Sequence, residues 1–570
     1  DANKVETKIN QLAAASKNNE PGIKRQYTLQ PLKDIHFYSN DIEGYSGRKG
    51  DISYIYVFCI IALFVLLIAC INYMNLTTAR FANRAKEIAI RKVAGASRGR
   101  LTGQFLTEAF LLTTVALLLA LMLVKLLLPS FNAFTEKQLT LNNQTDFRIY
   151  AGVFIIFIIT GLLSGMYPAL FQSAAKPLLL LKNKVNIGKG NLSMRRSLVV
   201  FQFALSIIMI IATIVVYMQM KYVSTKDMGF NKEQLLVVDI NSGKIRQSAE
   251  AIKTSFAALA QVKNVSVSSR VPGEWKDLPK VKVKNEKIQT PEGDDMYFIG
   301  VDDQFLETFQ IDLLQGRNFA AGSIADSSAV LINETAAKAL GITQPSEQLS
   351  EIPLDQPFKA SVIGIVKDFN FQSLREPLAP MVLGFQKNPV QSIDYFAVRV
   401  TTDNMSKTLR QMDAVLHSFD QNHLFEYHFL DKQWELFYRE DQVRETIFLI
   451  VAILTVVIAC LGLFGLATYA AEQRIKEIGI RKVLGASVSS IVSMLSADFL
   501  KLVCIAAVIA FPVAWLAMNK WLADFAYRIH ISWWIFVIAG ITAFLIALFT
   551  ISFQAIKAAV ANPVKSLRTE

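Results

Sequence analysis

The chain has 570 residues, 52% of them hydrophobic, with a mean hydropathy of +0.34 and a net charge of +12. Its bases gather at the ends of apolar runs, so the charge reads as orientation in a bilayer and argues against a nucleic-acid surface. All four cysteines (Cys59, Cys70, Cys460, Cys504) sit inside apolar runs, which leaves the hydrophilic regions without a disulfide framework or a cysteine zinc site.

Residues 1–50 are hydrophilic. Seven stretches then follow that are long and apolar enough to cross about 30 Å of hydrocarbon as helices, at 54–76, 104–128, 149–171, 197–219, 446–470, 492–518 and 533–554. The first, YIYVFCIIALFVLLIACINYMNL, carries no charge at all. Between the first two spans lie Arg80, Arg84, Lys86, Arg91, Lys92, Arg98 and Arg100 against a single acid, Glu87. Residues 172–196 hold Lys176, Lys182, Lys184, Lys189, Arg195 and Arg196 with no acid, and residues 472–490 are again basic. The alternate connections, 129–148 and 519–531, are nearly balanced. The bias alternates, which predicts these basic loops inside and residues 1–50 and 220–445 outside. Trp521, Trp533 and Trp534 near the outer boundary suit an aromatic belt, and Lys125 is expected to snorkel there. Asp498 and Lys501, three apart on one helical face, are expected to pair.

Within the outside segment, 235–240, 297–301, 330–332, 358–366 and 393–400 read as strands, and 247–260 and 404–417 as amphipathic helices. This predicts an α+β domain with its own core. His423, Glu426 and His428 read as a solvated strand face and its edge rather than a metal site, and no cofactor is implied. The fold class is therefore a polytopic α-helical membrane protein with an extracytoplasmic α+β domain.

Residues 84–97, RAKEIAIRKVAGAS, return at 474–487 as RIKEIGIRKVLGAS, with eleven of fourteen positions identical and Arg84 standing 390 residues before Arg474. The same spacing relates Ile68-Ala69-Cys70 to Ile458-Ala459-Cys460 and Glu108 to Asp498, so the chain holds a duplicated module. At 100° per residue Arg84, Glu87 and Arg91 share a face, as do Arg474, Glu477 and Arg481. The other side carries Ala85, Ile88, Ala89 and Val93, or Ile475, Ile478, Gly479 and Val483, and Gly95 and Gly485 are stop signals. A helix that only anchored a loop in the interface would need bases and apolar residues, not the same glutamate and the same ending twice. Repeated polar identity points instead to two helices that meet the same protein surface. Gly95-Ala96-Ser97-Arg98-Gly99 matches the G-x-S-x-G nucleophile elbow by letters alone, because that motif needs a strand-to-helix turn. Gly161 and Gly165 form a GxxxG pattern suited to close helix packing.

The E-I-[AG]-I-R-K-x-x-G-A segment between two spans resembles the hallmark of FtsX-like permease domains, as do the tails with Pro177 and Pro563. The outside segment resembles the MacB-like periplasmic domain through GRNF (316–319), VLINETAAKALG (330–341) and VIGIVKDFNFQS (362–373). The resemblance implies an organisation of 1–50 as the end of a first periplasmic domain, 51–182 as a first FtsX-like module, and 197–219 as a transmembrane helix. A MacB-like periplasmic domain at 220–445 and a second FtsX-like module at 446–570 complete it. It also implies eight spans in a full-length protein, so that the chain is expected to be truncated at its N-terminus. Its location would be the bacterial inner membrane, with the large domain periplasmic.

The resemblance further implies an ATP-binding-cassette permease that is not itself an enzyme. No G-x-x-x-x-G-K-[ST] is present, and ATP hydrolysis is assigned to a separate cytoplasmic ATPase, in two copies. Carried over by position, the docking residues are Glu87, Ile88, Arg91, Lys92, Gly95 and Ala96, with Glu477, Ile478, Arg481, Lys482, Gly485 and Ala486 in the second copy. Membrane lipid and a periplasmic adaptor or other envelope partner are the remaining expected partners. The expected work is export or extraction of lipid, lipoprotein, peptide or drug. The alternatives are a transmembrane regulator of an envelope hydrolase and, ranked last, a secondary transporter.

Overall fold

The computed structural model describes residues 2–15, 26–38, 52–79, 81–141, 147–174, 189–273, 278–285, 294–345, 348–352, 358–388, 392–401 and 403–560. Much of residues 1–50, the tails with Pro177 and Pro563, and Lys176, Lys182 and Lys184 lie outside the described residues.

Two short helices, α1 (Ala2–Ala15) and α2 (Ile35–Tyr38), come first. Then follow α3 (Ile52–Ala79), α4 (Phe81–Val93), α5 (Arg98–Thr135), α6 (Phe147–Ala174) and α7 (Lys189–Thr225). The inserted segment contributes α8 (Gly243–Gln247), α9 (Ala249–Ala257), α10 (Phe305–Phe309), α11 (Glu334–Ala339) and α12 (Met405–Phe419). The chain closes with α13 (Leu430–Gln473), α14 (Ile475–Val483), α15 (Val488–Leu522) and α16 (Trp533–Val560). Seven of these helices are long and apolar enough to cross a membrane: α3, α5, α6, α7, α13, α15 and α16. Chain contacts divide the molecule into one unit of Asp1–Ile60 with Asp227–Phe437 and another of Ile61–Lys226 with Tyr438–Glu570.

In the second unit the helices are held by small residues spaced to let backbones approach. Ala506, Ala510 and Ala514 of α15, and Ala539, Ala543 and Ala547 of α16, recur every fourth residue and are buried against Ile207, Ile211 and Val215 of α7. Without a hydrophobic drive between helices in lipid, such close van der Waals packing supplies the attraction. The GxxxG of α6 works the same way: a Cβ at Gly161 would collide with Phe110, and one at Gly165 with Ala109, both on α5. Leu111, Leu118 and Met122 of α5 are exposed, as lipid-facing residues are. Helix α5 outruns its expected end at 128, passing Pro129 to Thr135, where Glu136 at φ 55° closes it by donating its N–H to the Asn132 carbonyl.

The inserted domain is built on strands β1 (Leu235–Asp239), β2 (Val262–Ser268), β3 (Lys280–Asn285), β4 (Asp294–Val301), β5 (Leu313–Gly316) and β6 (Ala329–Asn333). Strands β7 (Gln348–Ile352), β8 (Phe358–Val366), β9 (Met381–Phe385), β10 (Tyr395–Val400) and β11 (Tyr427–Phe429) complete the set. Their order is β11-β1-β10-β2-β4-β3-β7-β8-β6-β9, with β5 on β8, and β9 also pairs with β4. The second pairing closes β4-β3-β7-β8-β6-β9 into a ring around Val283, Phe298, Ile332, Val362 and Val382. Closure removes the edges that an open sheet would leave. Strands β11-β1-β10-β2 extend away from it antiparallel, with Phe256 of α9 and Met412 and Leu416 of α12 packed on Leu236, Val267 and Phe396. The expected helix 247–260 corresponds to α9, which is shorter at both ends (Ala249–Ala257), and Ser248 separates it from the short α8 before it. At the start of α13, Trp434 is fully buried, donates from Nε1 to the Pro272 carbonyl at 3.3 Å and leaves room only for glycine at Gly273.

Candidate functional site

The duplicated segment forms the same helix–turn–helix twice. In α4 the carboxylate of Glu87 sits 2.8 Å from Arg91 and 3.6 Å from Arg84; in α14 Glu477 sits 2.8 Å from Arg481. Both helices end in the same six-residue cap. The N–H of Ala96 reaches the Arg91 carbonyl at 2.9 Å and that of Gly95 reaches Lys92 at 3.1 Å, and Ala486 and Gly485 repeat both bonds at the same lengths. That closure puts Gly95 and Gly485 at φ +90°, a conformation without strain only for glycine. Ser97 and Ser487 then cap the next helices, their hydroxyls accepting from the N–H of Arg100 and Ser490. Ser97 thus caps a helix in a helix–helix turn, not in the strand-to-helix turn that the elbow motif needs.

A second ion pair braces each copy from below. Arg84 forks onto Glu108 of α5 at 2.9 and 3.1 Å, and Arg474 reaches Asp498 of α15 at 3.3 Å. The Glu108 hydrogen bond, against some desolvation, pushes the Arg84 guanidinium above its usual pKa. The expected Asp498–Lys501 pair is corrected here: Asp498 turns toward Arg474 of the neighbouring helix, and Lys501 forms no ion pair among the described residues. In the first copy Arg91 also donates to Gln104 at 2.6 Å and Lys92 to the Ser173 carbonyl at 2.6 Å. Burial, then the nearby Arg98, lowers the Lys92 pKa.

The exposure pattern over 87–100 is identical to that over 477–490. Glu87, Arg91 and Gly95 are exposed, Lys92 and Ala96 half-buried, and the second copy follows residue for residue. Ile88 and Ile478 depart from the sequence reading as contact residues. Ile88 is buried on Leu101, Phe105 and Ala169, and Ile478 on Ile491, Leu495 and Ala555, so each seats its helix rather than facing outward. Among the described side chains, Ile90 and Val93 face outward, as do Ile480 and Val483 in the second copy, with Leu484 exposed just beyond α14. Periodicity puts Val93 and Val483 on the apolar side, and both are nonetheless exposed. Ile90 lies about 60° from Glu87 around the helix, so the angular pattern held the signal, but only the neighbours of α4 decide which arc is covered. The result is an exposed arc of acid, base and branched aliphatic side chains, the same in both copies.

Elsewhere, His423 is buried rather than solvated, and burial lowers its pKa first of all. Glu426 accepts from Asn241 at 2.6 Å, and His428 lies 4.0 Å from Asp239. Among the described residues no group of three or more His, Cys, Asp or Glu has the arrangement of a metal site.

The FtsX-like permease C-terminal family matches this chain twice, at residues 59–177 and 449–563, and the MacB-like periplasmic core domain family matches residues 198–415. The macrolide export ATP-binding/permease protein MacB of Sodalis glossinidius (strain morsitans) is 26% identical over 138 residues, 24% of this chain and 21% of that protein. The protein of the same name from Pasteurella multocida (strain Pm70) is 28% identical over 124 residues, 22% of this chain and 19% of its own length. The chain thus spans about a fifth of these relatives. Among solved structures, the periplasmic region of MacB from Actinobacillus actinomycetemcomitans aligns at a TM-score of 0.27 and 13% identity, covering 37% of this chain and 94% of that one. The extracellular domain of the ABC-type transporter YknZ aligns at 0.25 and 15%, covering 34% and 97%. With two permease domains flanking a periplasmic core domain across most of its length, the chain belongs to the FtsX-like, MacB-type family of ABC permeases.

Proposed function

We propose that α4 and α14 are twin docking helices for a pair of cytoplasmic ATPase subunits, and that the chain transmits their nucleotide-driven stroke to its extracytoplasmic domain. The observation that carries this reading is the repetition of an exposed surface. The same glutamate–arginine pair, the same glycine turn and the same outward aliphatics stand on two helices with the same cap. Each helix is tied by an ion pair to the span that follows it, so a push on α4 or α14 is delivered to α5 or α15. By connectivity α7 and α13 lead into and out of the inserted domain and carry the motion to it. Two copies in one chain provide a pseudo-twofold platform for two ATPases. The cargo class that fits is hydrophobic or amphiphilic: lipid, lipoprotein, peptide or drug, taken from the outer face.

The test is simultaneous charge reversal, Glu87→Lys with Glu477→Lys, in the protein purified from native membranes. Loss of the co-purifying ATPase and of its membrane-stimulated turnover is expected. Retention of both would sink the reading. Efflux measurement beside an envelope-hydrolase assay separates transport from regulation.

A further inference from the structure

A cavity of about 990 Å³ opens between the N-terminal parts of α7 and α15, in the second module. Its lining is divided by polarity along the helix axes. At one end stand Arg196, Ser197, Asp498 and Lys501; farther along stand Phe201, Ile505 and Ile509 with other aliphatic residues. Both helices run in the same direction from the basic side of the membrane, so the charged end of the cavity lies at the inner interface and the apolar end points to the midplane. From Asp498 to Ile509 a helix rises about 17 Å, close to half of a 30 Å hydrocarbon core.

Asp498 is engaged by Arg474 at 3.3 Å, and among the described residues neither Arg196 nor Lys501 forms an ion pair. Lys501 has no counterpart in the repeat: the position 390 residues earlier is Leu111, whereas Asp498 matches Glu108. The lysine is therefore not needed for the shared brace, and its place is at the rim of an apolar cavity beside a second cation. A lysine that merely snorkelled would need no cavity beneath it.

We infer that this cavity is a binding site for an anionic phospholipid of the inner leaflet, its phosphate between Arg196 and Lys501 and an acyl chain along Phe201, Ile505 and Ile509. Charge complementarity selects the anionic headgroup, and the length of the apolar wall matches one leaflet. Basic pockets between membrane helices on this side recognise such headgroups. The site is independent of the docking surface and stands whether or not α4 and α14 bind an ATPase.

The experiment uses the whole chain in detergent, titrated with dioleoyl phosphatidylglycerol or dioleoyl phosphatidylcholine, with bound lipid counted by native mass spectrometry. Phosphatidylglycerol is expected to bind in preference. The Arg196→Ala/Lys501→Ala variant is expected to weaken it on the order of tenfold without changing phosphatidylcholine retention. Arg98→Ala/Arg100→Ala, which removes two exposed bases elsewhere, is expected to leave it intact. Ile505→Trp, which keeps both cations and fills the apolar wall, is expected to expel the lipid. Equal binding of the two lipids, unchanged phosphatidylglycerol binding in the double variant, or displacement of the lipid by inorganic phosphate at matched concentration overturns the assignment.

Discussion

Asn72 of α3 meets Gly462 of α13, and the two residues are each other's equivalents, 390 positions apart in the duplicated modules. Asn72 Nδ2 donates to the Ile458 carbonyl at 2.5 Å, and a Cβ at Gly462 would strike the Asn72 amide. The two leading spans therefore cross at matched positions, asparagine on one side and glycine on the other. Gly462→Ala is expected to destabilise the helix pair by about 1–3 kcal/mol. Adding Asn72→Ala is expected to recover part of that loss, a coupling of about 0.5–3 kcal/mol read from thermal midpoints of the solubilised chain. Strictly additive effects would show that the two side chains do not compete for the same space.

The braces under the docking helices predict a dissociation between stability and coupling. Arg84 and Glu108 are each about two-fifths exposed, at 36% and 40%, so their pair contributes only about 0.2–1 kcal/mol to stability. Arg84→Glu is expected to leave the thermal midpoint nearly unchanged while lowering ATPase stimulation, by setting α4 loose from α5. The swap with Glu108→Arg is expected to restore stimulation. A swap that restores nothing would mean the arginine acts elsewhere.

Arg399 of β10 is buried and donates to the carbonyls of Thr308 at 2.7 and 2.9 Å, Asn231 at 2.8 Å and Glu233 at 2.8 Å. Burial alone, opposed only by Glu233, lowers its pKa, and the carbonyls replace the water it has lost. Arg399→Met strands three carbonyl groups and is expected to cost the inserted domain about 3–5 kcal/mol, measured as a denaturant midpoint. Arg399→Lys is expected to do little better, because a compact ammonium cannot span the fork. A lysine variant as stable as the parent would refute the clamp.

Asp326 provides a pH test. Its carboxylate takes a fork from Arg317 at 2.7 and 3.0 Å and the Ala320 N–H at 2.8 Å, and the arginine hydrogen bond leads in holding its pKa below the ordinary value. A depressed acid contributes stability above its unfolded pKa of around 3.9 and loses it as pH falls through the folded value. Asp326→Asn is therefore expected to cost about 1–3 kcal/mol at neutral pH. The difference from the parent should shrink steadily below pH 4. A penalty that persisted undiminished at pH 2 would assign it to packing rather than charge.

The expected spans, the duplicated helix and the glycine turn correspond to elements in the structure because each is set by local chemistry. Charge-free runs of sufficient length, an acid–base pair four apart and a helix-stopping glycine leave their mark within a few residues. Ile88 and Ile90 show where this ends. Both are isoleucines on one amphipathic helix; periodicity sets Ile88 together with Val93 on the apolar side, yet of these three residues Ile88 alone is buried, and Val93 is exposed like Ile90. That choice belongs to Leu101, Phe105 and Ala169, which arrive from other helices. Strands β2, β3, β5, β7 and β9 lie outside the five strands read from the sequence, and so does the β4–β9 pairing that closes the ring.

By itself the sequence determined a membrane chain with two copies of one basic helix and a large outside insertion, because hydropathy and repetition are carried along the polymer. Tertiary structure alone decided the outward arc of those helices, the turn of Asp498 toward Arg474, the crossing of Asn72 with Gly462 and the cavity beside Lys501. Each joins residues far apart in the chain, and only packing determines which distant group a side chain meets.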